Sequence, residues 1–206
     1  MITIIDYGMG NLKSVYNALK YLSIPCEISD DINEIKNSKG IILPGVGAFP
    51  DAIKTLREKE LDILIKERCK DGVPFLGICL GMQLLFDRSY EGTECEGLGL
   101  ISGEVVKLQG DIKIPHISWN SLIFNKNKKH NKILENINEG DFVYYVHSYY
   151  GKVKNQDDLI AYSEYGENKI AGVVGRENVF GMQFHPEKSG DVGLRIIKKF
   201  GEMVKW

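Results

Sequence analysis

The stretch that decides the fold covers residues 73–83 and reads VPFLGICLGMQ. Residues 73–78 form an apolar run that is typical of a buried strand, and residues 81–88 have a helical pattern. Between them lies the sequence GICLG, which carries Cys79 on a tight turn from strand to helix. This Gly-x-Cys-x-Gly pattern is the cysteine form of a nucleophile elbow.

The residue types around Cys79 are those that an elbow requires. The turn holds the nucleophile in a strained backbone conformation, and the neighbouring chain leaves room only for glycine at positions 77 and 81. The N-terminus of the following helix favours a thiolate and offers a backbone N–H group to an oxyanion. Cys79 could instead be a small buried hydrophobic residue, as many free cysteines are. The three other cysteines lack this context and are expected to be free thiols: Cys26, Cys69 and Cys95.

On both sides of the elbow, the first half of the chain alternates strand and helix patterns. This alternation predicts a mostly parallel sheet that is flanked by helices. Asn11 precedes the first helix at a capping position. The predicted strands cover residues 2–6, 40–43 and 73–78, and the predicted helices cover 12–22, 51–59, 61–71 and 81–88.

The second half of the chain has strand patterns separated by glycine and polar turns, which predicts antiparallel additions to the sheet. The sequence therefore predicts an α/β fold: a central, mostly parallel sheet flanked by helices, with antiparallel strands added in the C-terminal half. We expect a single domain over residues 1–206. The predicted strands cover residues 99–108, 141–148, 159–165, 169–174 and 178–184, and a helix covers 192–204.

Composition excludes several classes of protein. Of the 206 residues, 43% are hydrophobic, and 26 basic residues against 28 acidic ones give a net charge of −2. Such a chain folds around a core and has no charge excess for nucleic acid or a membrane surface. The basic run KNKKHNK at 126–132 is predicted to be a solvated loop. There is no secretory signal, no long apolar span and no zinc-type ligand set, so we expect a cytoplasmic protein without metal or cofactor.

A nucleophilic thiol needs a base and a group that orients the base. Among the four histidines, His185 is the best candidate because it follows the strand predicted over 178–184 and begins the sequence His-Pro-Glu. Pro186 should keep this segment extended, so that Glu187, two residues on, lies on the same side as His185. Glu187 would then fix the imidazole tautomer, as the third member of a catalytic triad does.

A glycine-rich turn follows another predicted parallel strand. Residues 44–47 read PGVG, and such strands end on the edge of the sheet where α/β sites form. Backbone N–H groups of this turn could point at an oxyanion. The alternative is an ordinary turn between a strand and a helix.

Together these motifs resemble those of the class I (triad) glutamine amidotransferases. PGVG resembles their oxyanion strand, GICLGMQ their elbow, and HPE the rest of their triad. Within the class the chain most resembles the HisH family, the glutaminase subunits of imidazole glycerol phosphate synthase. The segments that carry this second resemblance are DYGMGNL (6–12), PGVGAF (44–49), PHISWN (115–120), YVHSY (145–149) and FHPEKS (184–189).

The resemblance implies a glutaminase mechanism. Cys79 would attack the side-chain amide of L-glutamine to form a thioester, His185 would take the thiol proton and deliver it to the departing ammonia, and Glu187 would orient His185. The backbone N–H groups implied to hold the oxyanion belong to Val46, Gly47 and Leu80. The residues implied to bind the substrate are Gly45, Gln83, Ser148 and Tyr149.

The resemblance also implies a partner. HisH subunits form a heterodimer with a (β/α)8-barrel synthase subunit, through which ammonia passes to the second substrate in histidine biosynthesis. Glutaminase activity would be low until the partner is docked, and Gly45 and Gly47 would permit the oxyanion turn to switch. The implied partner-facing residues are Asn11, His116, Trp119 and Lys188.

Three alternatives stay open at this point. A HisH-like paralogue could supply ammonia for the amidination of surface sugars. A cysteine peptidase or related hydrolase could use the same elbow. A regulatory module without activity is a third possibility, although all three triad positions are intact.

Overall fold

The computed structural model describes residues 1–126 and 132–205. The basic run predicted to be a solvated loop lies mostly outside the described residues. The strands are β1 (Ile2–Ile5), β2 (Cys26–Ser29), β3 (Gly40–Gly45), β4 (Phe75–Cys79), β5 (Phe86–Ser89), β6 (Cys95–Glu96), β7 (Ile101–Lys107), β8 (His116–Ser121), β9 (Ile123–Phe124), β10 (Phe142–His147), β11 (Tyr149–Val153), β12 (Leu159–Tyr165), β13 (Asn168–Arg176) and β14 (Val179–Met182). The α-helices are α1 (Leu12–Tyr21), α2 (Ile32–Asn37), α3 (Phe49–Glu58), α4 (Leu61–Lys70), α5 (Leu80–Gln83) and α6 (Gly190–Met203).

The main sheet has eight strands in the order β2-β1-β3-β4-β14-β13-β12-β9. Neighbours from β2 to β14 are parallel, and those from β14 to β9 are antiparallel. The predicted fold class, a mostly parallel sheet flanked by helices with antiparallel strands added in the C-terminal half, is confirmed. Strand β14 is not a purely antiparallel addition: it lies parallel to β4 and antiparallel to β13, so it joins the two parts of the sheet.

Two small sheets lie beside the main one, with the orders β10-β8 and β11-β7-β5-β6. The strands predicted over 99–108 and 141–148 therefore exist but do not extend the main sheet. Strand patterns predict an extended backbone, whereas the choice of partner depends on contacts between residues distant in sequence.

Three local predictions need correction. The helix predicted over residues 81–88 is only the four-residue α5, and the chain is extended again from Phe86, where β5 pairs with β7 and β6. Asn11 precedes α1, but its side chain makes no capping hydrogen bond. The strand predicted to reach residue 184 ends at Met182. The strands and α-helices without a prediction are β2, α2, β6, β8, β9 and β11.

Hydrophobic residues form two core clusters on opposite faces of the main sheet. One cluster joins Ile4, Ile42 and Leu76 of the strands to residues of α1 and α6, and the other joins strand residues such as Leu43 to residues of α3 and α4. The parallel strands β1, β3 and β4 are buried along their whole length, which explains why they appear in the sequence as continuous apolar runs. Among the described residues, no helix is long and apolar enough to cross a membrane.

Candidate active site

Cys79 ends β4 and stands directly before α5. Its backbone has φ +55° and ψ −110°, a conformation that a residue with a side chain rarely adopts. Such a conformation costs about 1–3 kcal/mol and persists only where the surroundings impose it. The strained turn expected of an elbow is therefore present at the predicted nucleophile.

Close backbone contacts explain the two glycines that flank Cys79. A Cβ atom added to Gly77 would lie 2.5 Å from the carbonyl oxygen of Gly81, and one added to Gly81 would overlap the carbonyl oxygen of Leu43 on β3. Backbone atoms inside a sheet cannot move aside as a flexible side chain can. The missing side chain at position 77 therefore lets the turn fold tightly onto Gly81, and the missing side chain at position 81 lets the elbow pack against β3.

Replacing Gly81 with alanine tests this packing. Helix propensity alone predicts a gain of about 1 kcal/mol, whereas the overlap with the Leu43 carbonyl should dominate and lower the free energy of unfolding by about 3 kcal/mol or more. Urea unfolding of the purified variant measures the change. The matched control is Gly110→Ala, since Gly110 has φ +97° but open space around it and should lose only about 1 kcal/mol. Equal losses in the two variants would contradict the steric explanation.

His185 and Glu187 meet as the sequence predicts, but by a different route. His185 Nδ1 lies 2.9 Å from Glu187 Oε1, and both side chains are almost completely buried. The expected reason was wrong, because the segment is not extended beyond His185: Pro186–Lys188 form a turn of 3-10 helix that brings the carboxylate beneath the ring. The other carboxylate oxygen, Glu187 Oε2, has no partner among the described residues.

The surroundings of His185 favour its charged form. Burial alone would lower its pKa, but hydrogen bonds and charges from Cys79 and Glu187 outweigh burial and raise the pKa to about 10. Cys79 and His185 line the same cavity, where a proton could pass between them, with the imidazolium stabilised by the carboxylate behind it. An imidazolium at this point can later protonate a leaving group.

The glycine-rich turn lies against the elbow. Gly45 is the register partner of Cys79 across β3 and β4, and Gly47 has φ +108°. The turn thus brings Val46 and Gly47 to the same cavity as Leu80, the three residues predicted to hold an oxyanion. Gly45 itself lies beneath the turn, where an added Cβ would lie 2.6 Å from the Tyr7 hydroxyl.

A cavity of about 280 Å³ joins these elements. Its size suits a small molecule such as an amino acid. Most residues predicted for the site line the cavity. The predicted residues that do not line it are Gly45, Glu187, Asn11, His116 and Trp119. Among the described residues there is no group of three or more side chains that could hold a metal ion. The cavity is lined by Val46, Gly47, Cys79, Leu80, Gln83, Glu91, Val146, His147, Ser148, Tyr149, His185 and Lys188.

Three polar residues at or behind the cavity are not among the predicted site residues. Glu91 lies in the loop after β5, lines the cavity and accepts a 2.9 Å hydrogen bond from the Phe49 backbone N–H. His147 lies at the end of β10 and lines the cavity, and Gln183 lies buried behind it. The packing of distant segments brings these three side chains to the elbow, and the only sequence signal among them is that His147 lies within the segment YVHSY, which carries the family resemblance.

His116 and His147 form a buried hydrogen-bonded pair, with His116 Nδ1 3.0 Å from His147 Nε2. The other nitrogen, His147 Nδ1, lies 2.9 Å from the Tyr149 carbonyl oxygen, which can only accept, so Nδ1 carries the proton and Nε2 accepts from His116. The His116 ring is fully buried and stacks 3.9 Å from the ring centroid of Tyr165. The predicted partner-facing role of the His116 side chain is therefore wrong, because no docked protein could reach it.

The pair is uncharged at neutral pH. Burial, with smaller contributions from the nearby His116 and His185, lowers the pKa of His147 to about 3 against the opposing effect of the Tyr149 carbonyl. Burial also lowers the pKa of His116 to about 4. Both rings therefore act as neutral hydrogen-bonding groups.

We expect acid to destabilise the fold through this pair. An unfolded histidine has a pKa of about 6.5, so below pH 6.5 the unfolded chain binds protons that the folded pair refuses until about pH 4. The free energy of unfolding should therefore fall as the pH drops from 6.5 to 4. His185 contributes no slope there, because its raised pKa gives stability that is complete below pH 6.5 and is lost only as the pH rises towards 10.

Urea unfolding at pH 7, 5.5 and 4.5 measures this slope. The double variant His116→Gln/His147→Gln should show a flatter dependence than the parent. An unchanged slope in the double variant would show that other groups cause the loss of stability in acid.

Comparisons with known proteins agree with the geometry. The chain matches the family model described as glutamine amidotransferase class-I over residues 3–203. It is 54% identical over 205 residues to the imidazole glycerol phosphate synthase subunit HisH of Caldanaerobacter subterraneus subsp. tengcongensis, covering 100% of this chain and 99% of that relative. It is 50% identical over 206 residues to a HisH of Bacillus cereus, covering 100% of this chain and 96% of the relative.

Solved structures share the fold at much lower identity. A crystal structure described as a glutamine amidotransferase superposes with a TM-score of 0.76 at 18% identity and covers 98% of both chains. PurLQS from Thermotoga maritima superposes with a TM-score of 0.71 at 21% identity, covering 97% of this chain and 96% of the other. The full-length match to the family and to the HisH relatives decides the assignment: the chain belongs to the class-I glutamine amidotransferases and, among them, to the HisH subunits of imidazole glycerol phosphate synthase.

Proposed function

We propose that this chain, as a single domain over residues 1–206, hydrolyses L-glutamine to L-glutamate and ammonia with Cys79, His185 and Glu187 as its triad. The observation that carries the proposal is the strained Cys79 turn facing His185 in one cavity, with Glu187 hydrogen-bonded behind the ring. A thiol, a base and an orienting carboxylate in this order are the parts of a nucleophilic acyl transfer.

The reaction proceeds in two halves. The Cys79 sulfur attacks the carbonyl carbon of the glutamine side-chain amide, and backbone N–H groups of Leu80 and of the Val46–Gly47 turn stabilise the oxyanion. His185 then protonates the amide nitrogen, the C–N bond breaks, and ammonia leaves a γ-glutamyl thioester. Water, deprotonated by His185, attacks the thioester and releases glutamate, and the proton returns to the Cys79 sulfur.

Polar groups around the cavity match the remaining atoms of L-glutamine. The substrate carries an ammonium and a carboxylate at the end remote from the reacting amide. The Glu91 carboxylate and the Gln83 side chain, which both line the cavity, suit the ammonium. Ser148 and Tyr149 line the same cavity and would hold the carboxylate, while Gly45 supports the turn from beneath.

The HisH relatives are subunits of a synthase, so a second subunit belongs to the assembly. We propose that it is a (β/α)8-barrel that receives the ammonia, in the cytoplasm, for histidine biosynthesis. The sheet of β8 and β10 supports a docking role, because Ile117 and Trp119 on β8 and Phe142 on β10 are more than half exposed on one face. An exposed apolar face that includes a tryptophan is typical of a protein interface. Lys188, which is exposed, and Asn11, which is partly exposed, would complete the contact.

The test is glutamate release by the chain alone and with the barrel subunit and its ribonucleotide substrate. We expect the barrel subunit and its substrate together to increase glutamate release strongly. Glutaminase activity that does not change when they are added would instead indicate a paralogue serving another acceptor, such as a surface sugar. The identity to HisH relatives over the full chain leaves no observation that favours the cysteine peptidase or the inactive regulatory module.

Replacing Trp119 with alanine should weaken partner binding by roughly 10–100-fold, as loss of a central aromatic anchor does. Basal glutamine hydrolysis by the free chain should not change. Titration calorimetry with the barrel subunit measures the dissociation constant. The control is Ile63→Ala on α4, which removes a side chain of similar exposure, 57% against 52%, from another element. Equal effects of the two substitutions would exclude the β8–β10 face as the docking surface.

A further inference from the structure

Two glutamine side chains meet behind the cavity. Gln83 ends α5 and is 4% exposed, while Gln183 follows β14 and is completely buried. The Gln83 amide nitrogen lies 2.8 Å from the Tyr149 carbonyl oxygen and 3.1 Å from Gln183 Oε1. The amide nitrogen of Gln183 lies 3.9 Å from the Cys79 sulfur. A chain of polar contacts thus joins the nucleophile to Tyr149.

Hydrogen-bonding chemistry determines how both amides are oriented. The Tyr149 carbonyl can only accept, so the Gln83 atom beside it must be the NH₂ group. The second N–H of that group must then meet an acceptor, which requires the oxygen of Gln183. The Gln183 NH₂ group therefore faces the sulfur. Each step follows from the one before, so the Tyr149 carbonyl determines the orientation of both side-chain amides.

This arrangement leaves one polar atom of Gln83 for a ligand. Both of its N–H groups are used, and its carbonyl oxygen Oε1 accepts no hydrogen bond from the described residues. Gln83 lines the cavity together with the carboxylate of Glu91. The site thus offers acceptors without a competing donor from Gln83, as an ammonium group with three N–H donors needs.

The contact of Gln183 with the sulfur opposes that of a backbone carbonyl. Val146 O lies 3.7 Å from the Cys79 sulfur and can only accept, so it favours the S–H form. The N–H of Gln183 can only donate, so it favours the thiolate. These two contacts act on the same atom with opposite sign, and removal of Gln183 leaves His185 alone to favour the thiolate against the carbonyl.

We propose that Gln183 is a positioning residue with two effects: it holds the Gln83 carbonyl oxygen towards the substrate ammonium, and it stabilises the Cys79 thiolate. Gln183 is fully buried and does not line the cavity, so it acts through the two neighbouring residues and not on the substrate. The first effect determines selectivity for a ligand with an α-amino group and rests on the proposed glutaminase function. The second effect concerns the thiol alone.

The first experiment measures binding without turnover. Calorimetry with Cys79→Ala chains gives dissociation constants for L-glutamine and for 4-carbamoylbutanoate, which lacks the α-amino group. Adding Gln183→Met, which matches the length of glutamine but has neither the acceptor oxygen that faces Gln83 nor an N–H donor, should reduce the preference for L-glutamine about tenfold. Adding Gln183→Glu keeps an oxygen facing Gln83 and should preserve the preference. An unchanged preference in the folded Gln183→Met chain would overturn the selectivity role.

The second experiment does not depend on glutamine. Iodoacetamide should alkylate Cys79 several-fold more slowly at pH 7 in Gln183→Met than in the parent, as followed by the mass of the peptide that contains Cys79. If the Cys79→Ala chain binds no glutamine at all, the proposed function fails. The rate at which iodoacetamide alkylates Cys79 then tests the role of Gln183 independently. An unchanged rate would overturn the effect on the thiolate.

A buried amide elsewhere provides the matched control. Asn168 is 6% exposed and hydrogen-bonds the backbone of Gln109, remote from the elbow. Asn168→Leu should lower the free energy of unfolding but leave the alkylation rate and the binding preference at parental values. If Asn168→Leu and Gln183→Met change both readouts alike, Gln183 has only a general structural role.

Discussion

Replacing Cys79 with alanine should abolish glutamine hydrolysis, lowering kcat by roughly 10⁴–10⁶-fold. Alanine has no atom that can form the thioester, so only uncatalysed attack by water on a bound amide remains. The substitution removes one atom from the cavity and leaves the strained turn in place. The measurement is glutamate release in the presence of the partner subunit, where the parent is expected to be most active.

The ammonia-fed reaction of the complex is the control for Cys79→Ala. With ammonium salt in place of glutamine, the variant complex should form product at the rate of the parent complex, because the partner's chemistry does not use the thiol. Glutamine hydrolysis at the parental rate would show that Cys79 is not the nucleophile. Loss of the ammonia-fed reaction would show instead that the substitution disrupts the assembly.

Replacing His185 with asparagine should lower glutamine hydrolysis almost as far, by roughly 10³–10⁶-fold. Asparagine retains a hydrogen-bonding group towards Glu187 but cannot transfer a proton. The variant therefore loses both the base that forms the thiolate and the acid that protonates the leaving nitrogen. Because an unprotonated amide nitrogen is a poor leaving group, the loss of the acid alone should block ammonia release.

The double variant Cys79→Ala/His185→Asn tests whether the two residues act as a unit. Its activity should equal that of Cys79→Ala, since removing one member of a triad already removes the mechanism. Single-turnover glutamate release, with circular dichroism to verify the fold, provides the measurement. A double variant whose loss is the product of the two single losses would mean that Cys79 and His185 contribute independently.

Much of the fold and site could be predicted because the signals are local. The apolar run before Cys79 forms strand β4. The glycines on either side of Cys79 are required by the tight turn and by its contact with β3. The resemblance also placed Gln83, Ser148 and Tyr149 at positions that now line one cavity with His185. Their roles in binding stay predictions until ligands are measured.

Other predictions failed where distant contacts outweigh local pattern. The helical pattern over residues 81–88 gives way to strand β5 after one turn, because Phe86 and Ser89 are buried where β5 pairs with β7 and β6. His116 lies in a motif that suggests a surface contact, yet its ring is enclosed by two tyrosines. In both cases the partners that decide the outcome are remote along the chain.

The sequence by itself determined the α/β class, the elbow at Cys79 and the pairing of His185 with Glu187. These features depend on residues within a few positions of one another, where backbone sterics and a short turn leave few alternatives. Only the tertiary structure decided that Glu91 faces the cavity, that Gln183 lies between Gln83 and the sulfur, and which apolar face stays exposed. Those features arise where strands and loops distant in sequence pack together, and no local spacing specifies which side chains then meet.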